Sequence, residues 1–494
     1  MLNQKYFTVA FYCSVLFSSS LLLIGCTASP HSAEHYAANL YATELASCYN
    51  QLSTFNQEVQ RQQINDAQSI TLPQYPHLAF DRFSQAQLLS VKTQQDRQQW
   101  LKYVAQLSQR QRHAEYSNMV SNQRFDLPTL DYCANRLTQI PMTDDDHWQQ
   151  LTEHAPSIPS SYEPWLRFFG LYPITKVVAG PSIISEAKRI KAGFSQPVDG
   201  YQISYQLSVD NTPTITQHEI SQWFSEALNH STLQWPQFSQ QQLDQLYRHY
   251  APVITVESAS LDDKPGTVEY NWSDTPSVNA TQPAIYLDHS YTRFHGQTLL
   301  QLNYSLWFAN RTPTASLDPY AGPFDGVLLR LTLDQHGNPL FMDSIHHCGC
   351  YHMIFNFSDK LQSIPLDPNT EAPLILTRLR HATNDALQVT LSHGEHMIKH
   401  VSWGPTPHLV RAIPGIPYDQ LRSLPTRHGV NKSLFDEHGM LPASERLEST
   451  YLWPFGIPSP GTMRQVGHHA TAFIGERHFD EPHLFEQFFV PRID

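Results

Sequence analysis

Gly326-Val327-Leu328-Leu329-Arg330-Leu331-Thr332-Leu333 is followed by Asp334-Gln335-His336-Gly337-Asn338-Pro339 and then by Leu340-Phe341-Met342-Asp343-Ser344-Ile345. Two apolar runs around a Gly/Asn/Pro turn predict a β-hairpin, because that turn chemistry reverses the chain and β-branched or large apolar residues suit a pleated surface. Upstream, Leu299 to Phe308 alternates. Leu300, Leu302, Tyr304, Leu306 and Phe308 fall on one face, and Gln301, Asn303 and Ser305 on the other. That polar face has two readings: the lining of a pocket, or a solvated sheet face. Its expected partner is Asp288 to His295, which as a strand would put His289, Tyr291, Arg293 and His295 on one side.

The same pattern recurs from about Val198 onward. Tyr201 to Val209 alternates, with strands predicted at Val253–Val256, Thr267–Tyr270 and Leu374–Leu379. Leu387–Leu391 is expected to pair with Met397–Trp403. Gln217–Asn229 and Gln240–Tyr250 read as helices. Regular strands with such turns predict a mainly antiparallel sheet or sandwich.

The N-terminal part differs. Tyr41, Leu45, Cys48, Leu52, Phe55 and Val59 recur at alternating helical spacings, one stripe of an amphipathic helix. A second helix is expected over Ser84–His113, and a third over Asp131–Leu137, which carries Cys133. Cys48 lies in the buried stripe, so a Cys48–Cys133 disulfide is expected in an oxidising compartment; the alternative is two buried free thiols. The fold class is therefore α+β: an N-terminal helical module followed by a larger, mainly antiparallel β domain with a few helices. The divisions are a leader over 1–25, a tether over 26–35, a helical domain over 36–141, a connector over 142–197 and a β-rich domain over 198–494. In the connector, Trp165 to Pro173 is aromatic and is expected to pack the two halves together. Asp144-Asp145-Asp146 reads as a solvated helix N-terminus.

The second strand of the opening hairpin runs into His346-His347-Cys348-Gly349-Cys350-Tyr351-His352, the stretch richest in groups that bind metals, move protons or attack as nucleophiles. If the strand continued, His346, Cys348, Cys350 and His352 would share a face. They would then span about 20 Å, too far for all to reach one ion at bond lengths of about 2.0–2.3 Å. A complete site would need ligands from elsewhere, and the best donors are His468, His469, His478 and Asp480. His468 to Ile474 reads as a strand. Three readings stand for the cluster: a disulfide involving Cys348 and Cys350, a divalent transition metal (zinc or iron), or a working thiol pair. Tyr291, Arg293 and His295 are the candidate substrate-binding residues. No standard metal, phosphate-loop, nucleophile-elbow or dinucleotide motif is present.

At the start of the chain, Lys5 precedes an apolar run from Val9 to Ile24 that ends in Leu23-Ile24-Gly25-Cys26. This resembles the lipobox of bacterial lipoproteins. The resemblance covers the leader alone, and implies cleavage before Cys26 and lipidation of its thiol. Thr27, which replaces the Asp that signals inner-membrane retention, implies the outer membrane, with the protein attached to the bilayer rather than spanning it. The formal charge of −13 argues against a nucleic-acid partner. Three function classes follow: a binding or envelope-assembly protein with a polymer, lipid or protein partner; a metal-dependent hydrolytic or oxidative enzyme using the His346–His352 cluster; or a redox protein using Cys348-Gly349-Cys350.

Overall fold

The structure, a computed structural model, describes residues 43–120, 125–208, 215–381 and 385–492. The leader, Cys26, the tether, Tyr41 and Val209 lie outside the described residues. Chain order runs from helix α1 (Thr43–Gln62) through strands β1 (Ile70–Leu72) and β2 (Tyr75–Phe80) to helices α2 (Arg82–Leu88), α3 (Gln94–Asn118), α4 (Leu127–Thr143), α5 (Asp145–Glu153), α6 (Pro164–Phe169) and α7 (Tyr172–Gly193). The second part begins with β3 (Gln202–Leu207), α8 (Gln217–Asn229), α9 (Gln240–His249) and β4 (Val253–Glu257). It continues through β5 (Thr267–Tyr270), β6 (Pro276–Asn279), β7 (Ile285–Phe294), β8 (Gln297–Arg311), β9 (Gly322–Leu333), β10 (Pro339–His346), β11 (Met353–Asn356), β12 (Leu361–Ser363) and β13 (Ile375–Arg378). Last come β14 (Ala386–Leu391), β15 (Ile398–Gly404), β16 (Arg411–Ile413), β17 (Gly415–Pro417), β18 (Leu424–Pro425), β19 (Asn431–Lys432), α10 (Ser449–Leu452) and β20 (Phe489–Pro491).

The expected α+β architecture is present. Helices fill most of the N-terminal part, and a larger, mainly antiparallel sheet domain follows. The seven-stranded sheet has the order β13-β11-β10-β9-β8-β7-β17, with parallel pairs only at its two ends. A five-stranded sheet, β15-β14-β4-β3-β16, forms a second layer. The opening hairpin is β9–β10, with Leu331 opposite Met342 and Arg330 opposite Asp343. Leu387 pairs with Trp403, as expected.

Both faces of β8 are buried. The face with Leu300, Leu302, Tyr304 and Leu306 shares one apolar cluster with Ile254 and Val389 of the second sheet and with Leu52, Phe55 and Trp100 of the helices. Each such side chain gains about 1.5–3 kcal/mol from leaving water. On the other face Leu299 and Trp307 belong to two separate apolar clusters. Between them runs a polar row: Asp288, Asn303, Arg330 and Asp343 stand opposite one another across β7 to β10. Buried polar groups need partners. Arg330 grips Asp343 with Nε at 2.9 Å and Nη2 at 2.5 Å and donates a third bond to the Phe479 carbonyl at 2.7 Å. Arg110 of α3 reaches Asp288 at 3.0 Å.

Several expectations are corrected. The helix expected over Ser84–His113 is broken between Leu88 and Gln94, where Thr93 and Asp96 form a capping box that starts α3 afresh. The β1–β2 hairpin interrupts the region read as helical. Pro73 and Pro76 lack the N–H that a helix interior needs. The connector is largely helical, and Trp165, Phe168 and Phe169 are exposed instead of packing the halves together. Asp144 does cap a helix, α5, as the acidic triplet suggested. Cys48 and Cys133 form the expected disulfide between α1 and α4, with Cα atoms 4.8 Å apart.

Candidate functional site

Strand β10 stops at His346, and the chain turns before resuming as β11. The turn closes through Gly349 N–H donating to the His346 carbonyl at 2.7 Å and His346 N–H donating to the Cys350 carbonyl at 3.0 Å. Gly349 has φ +93°, and a Cβ there would sit 2.3 Å from the Ala470 oxygen, so only glycine fits. The expectation of one strand from 346 to 352 with a shared face is thereby corrected: the turn sends the side chains in different directions.

His346 faces Asp325, with Nδ1 3.4 Å from the carboxylate. His396 holds the other oxygen of that carboxylate at 2.8 Å. His347 stacks on Trp307 with centroids 4.2 Å apart and bonds Ser305 Oγ at 2.8 Å; burial holds its pKa at about 3. His352 sits 3.4 Å from Asp343, and burial lowers its pKa to about 4. The C-terminal candidates bond elsewhere. His468 donates to the Ala67 carbonyl at 2.7 Å, and His478 Nε2 accepts from Ser161 N–H at 3.0 Å. Asp480 pairs with Arg82 at 3.1 Å. His469 is buried edge-on to Phe479. The strand expected over His468–Ile474 is absent; an isolated Ala470–His478 bridge stands in its place. Among the described residues no group of three or more His, Cys, Asp or Glu is placed to hold a metal ion. The zinc-or-iron expectation therefore finds no assembled ligand set.

The proposed substrate-binding trio is also dispersed. Tyr291 packs among Phe83, Tyr103 and Trp235. Arg293 donates to Gln87. His295 lies past the end of β7 with φ +47°. The polar face of β8 does line a space: Gln301 and Asn303 border a small cavity of about 80 Å³ with Asp288, Ser290, Arg110 and Arg330.

What the turn does build is a larger cavity of about 390 Å³. Cys348, Gly349, Cys350 and Tyr351 form its floor, segments 448–461 and 470–473 its walls, and the inner face of α7 its roof. Ala179, Ile183, Ala187 and Ile190 line that roof. Tyr162 fixes one wall by donating to the Ala472 and Arg477 carbonyls at 2.8 and 3.0 Å. Arg477 donates to the Glu371 carbonyl at 2.5 Å and to Thr471 Oγ1 at 3.0 Å.

Glu186, Glu371, His352 and Arg477 also border this mainly apolar space, beside Cys348, Cys350 and Glu448. Cys348 and Cys350 are both free. The hydrogen bond with Cys348, followed by burial, pushes the Cys350 thiol well above its ordinary pKa, so it is not a ready thiolate. Glu448 is only 6% exposed, and its side chain makes no hydrogen bond or ion pair among the described residues. Burial raises its pKa to about 7. Gly461 beside it has φ +84°, a backbone conformation that favours glycine, and a Cβ there would push on Glu448 Oε1. Sequence reading missed Glu448 and α7. The signal available for α7 was the apolar run Trp165–Ile184.

No family model matches the chain, and no curated protein matches it. A solved structure described as "Toxin fold for microbial attack and plant defense" aligns at 13% identity over 38% of this chain and 79% of that chain. Its TM-score of 0.20 is a likeness too slight to carry an argument about fold or function.

Proposed function

We propose that this protein is a lipid-anchored envelope protein, attached through Cys26 to the outer membrane and facing the periplasm, that binds an amphiphilic ligand in the cavity beneath α7. The observation that carries this reading is the cavity itself: about 390 Å³, walled mainly by apolar side chains, with the buried carboxylate of Glu448 making no hydrogen bond among the described residues, though it feels the charges of Arg311 and Arg446. Ligand sites combine an apolar body with a few oriented polar groups, and this volume falls within their usual range. The ligand's apolar part lies against Ala179, Ile183, Ala187 and Ile190. A cationic or hydrogen-bond-donating head reaches Glu448. The Cys48–Cys133 disulfide supports an oxidising compartment.

The test uses the full-length protein and a fluorescent long-chain alkylamine, with the matching fatty acid as comparison. Saturable alkylamine binding is expected, weakened at least tenfold by Ala187→Trp, which fills the cavity from the roof. Binding should tighten as pH rises through about 7, where Glu448 loses its proton, and Glu448→Gln should remove that dependence. Equal binding by the native protein and Ala187→Trp, with both folded, would dismiss the reading.

A further inference from the structure

Helix α7 is apolar on two opposite sides. Its inner stripe covers the cavity. Its outer stripe, Ile174, Val177, Val178 and Ile184, continues the surface of Trp165, Phe168, Phe169 and Leu171 from α6 and the α6–α7 corner. These side chains are 51% to 75% exposed. A helix that is apolar all round is normally enclosed on every side, and a contiguous exposed apolar patch marks a missing partner. Scattered single exposures need no such explanation, but eight within twenty residues at helical spacing do.

The rim of the patch says what the partner is. Lys188, Arg189 and Lys191 are exposed at the C-terminal end of α7, where Arg189 pairs with Glu186 at 2.7 Å. Glu186 is the helix's single acid. The segment is therefore basic in a chain of formal charge −13. Aromatic side chains at one end, aliphatic ones along the middle and lysines at the other end describe a helix lying in a bilayer interface, with the lysine stems reaching back to headgroups. Among the described residues no helix is long and apolar enough to cross a membrane, so the contact is with a surface. Reach permits it. The chain between Cys26 and Thr43 spans at most about 60 Å when extended, against a radius of gyration of about 23 Å for a compact chain of this length.

We infer that the outer face of α6–α7 docks on an anionic phospholipid surface, which places the cavity roof against the membrane. The inference stands on the helix face and does not need the cavity ligand. The experiment, which rests on the proposed Cys26 anchor, incorporates the lipidated protein beginning at Cys26 into vesicles of phosphatidylglycerol and brominated phosphatidylcholine and reads tryptophan quenching. Trp100, Trp235 and Trp307 are fully buried; Trp165 and Trp272 are both exposed, and of these two Trp165 lies on the patch. The expected result is a quenched component that disappears in Trp165→Phe. It should fall at least threefold in Val177→Glu/Val178→Glu, whose sites are exposed and leave the fold intact by circular dichroism. It should also fall when the phosphatidylglycerol is replaced by phosphatidylcholine. Quenching that is unchanged in both variants would overturn the inference. So would a dimer in detergent that the valine variant dissociates, with no bromolipid quenching, since the patch would then belong to a second copy. Ala187→Trp should keep the quenching, which separates failure here from failure of the ligand reading.

Discussion

Glu448 shows how a single side chain ties stability to chemistry. Its carboxyl has a folded-state pKa of about 7 against an ordinary 4.5, because burial disfavours the charge. Between those values the folded protein binds more protons than the unfolded chain. The stability is therefore full below the ordinary pKa and declines as pH rises through about 7. Glu448→Gln should remove that decline. Urea midpoints at pH 8 should show the variant more stable, by at most about 3 kcal/mol, and those at pH 5 should nearly coincide. A variant no more stable at pH 8 would mean that the carboxylate finds compensation in solution. The sequence offered no sign of this residue. Glu448 sits in an ordinary polar run, and its burial depends on Gly461 and α7, which are distant or unrelated in sequence pattern.

At the scale of the element, the β10–β11 turn decides what the His/Cys cluster can be. Gly349 is bound both by its left-handed backbone and by the Ala470 oxygen, whereas Gly296 has φ +81° with nothing within 4 Å of an added Cβ. Comparing alanine at the two positions separates the causes. Gly296→Ala should cost about 1–2 kcal/mol, the left-handed penalty alone. Gly349→Ala should cost about 3 kcal/mol or more, because overpacking adds to it, and it should loosen the cavity floor. Denaturant midpoints measure both, and equal losses would remove the steric argument. Strand existence and pairing were legible here from alternation and turn chemistry, since these are local. The end of β10 at His346 was not legible, because the turn is stabilised by packing against segments 464–470, more than a hundred residues later.

On the scale of the whole molecule, the helical module is held to the sheet by a chain of ion pairs, buried at Asp66 and Arg422 and partly exposed at Arg110 and Asp419. Arg110 joins Asp288 and Asp419, and Arg422 joins Asp419 and Asp66 at 2.9 Å. His468, His478 and Asp480, expected as metal ligands, serve this attachment by bonding Ala67, Ser161 and Arg82. The disulfide acts within the module. It closes a loop across a sequence separation of 85, and its reduction should lower stability by about 2–4 kcal/mol, chiefly by freeing the unfolded chain. Calorimetry with and without reductant checks this. An unchanged transition would mean that α1 and α4 are held by packing alone.

The amino-acid sequence by itself determined the α+β class, the strands β7 to β10 and helices α8 and α9, because periodicity, caps and turn residues act over a few positions, and it pointed to the Cys48–Cys133 pairing that the structure then decided against two free thiols. Only the tertiary structure decided that the His346–His352 cluster disperses, that Glu448 is buried at the cavity wall, and that α7 carries one apolar face inward and another outward. Each of these depends on which distant segments meet, and that is fixed by the burial of the whole chain, not by its local pattern.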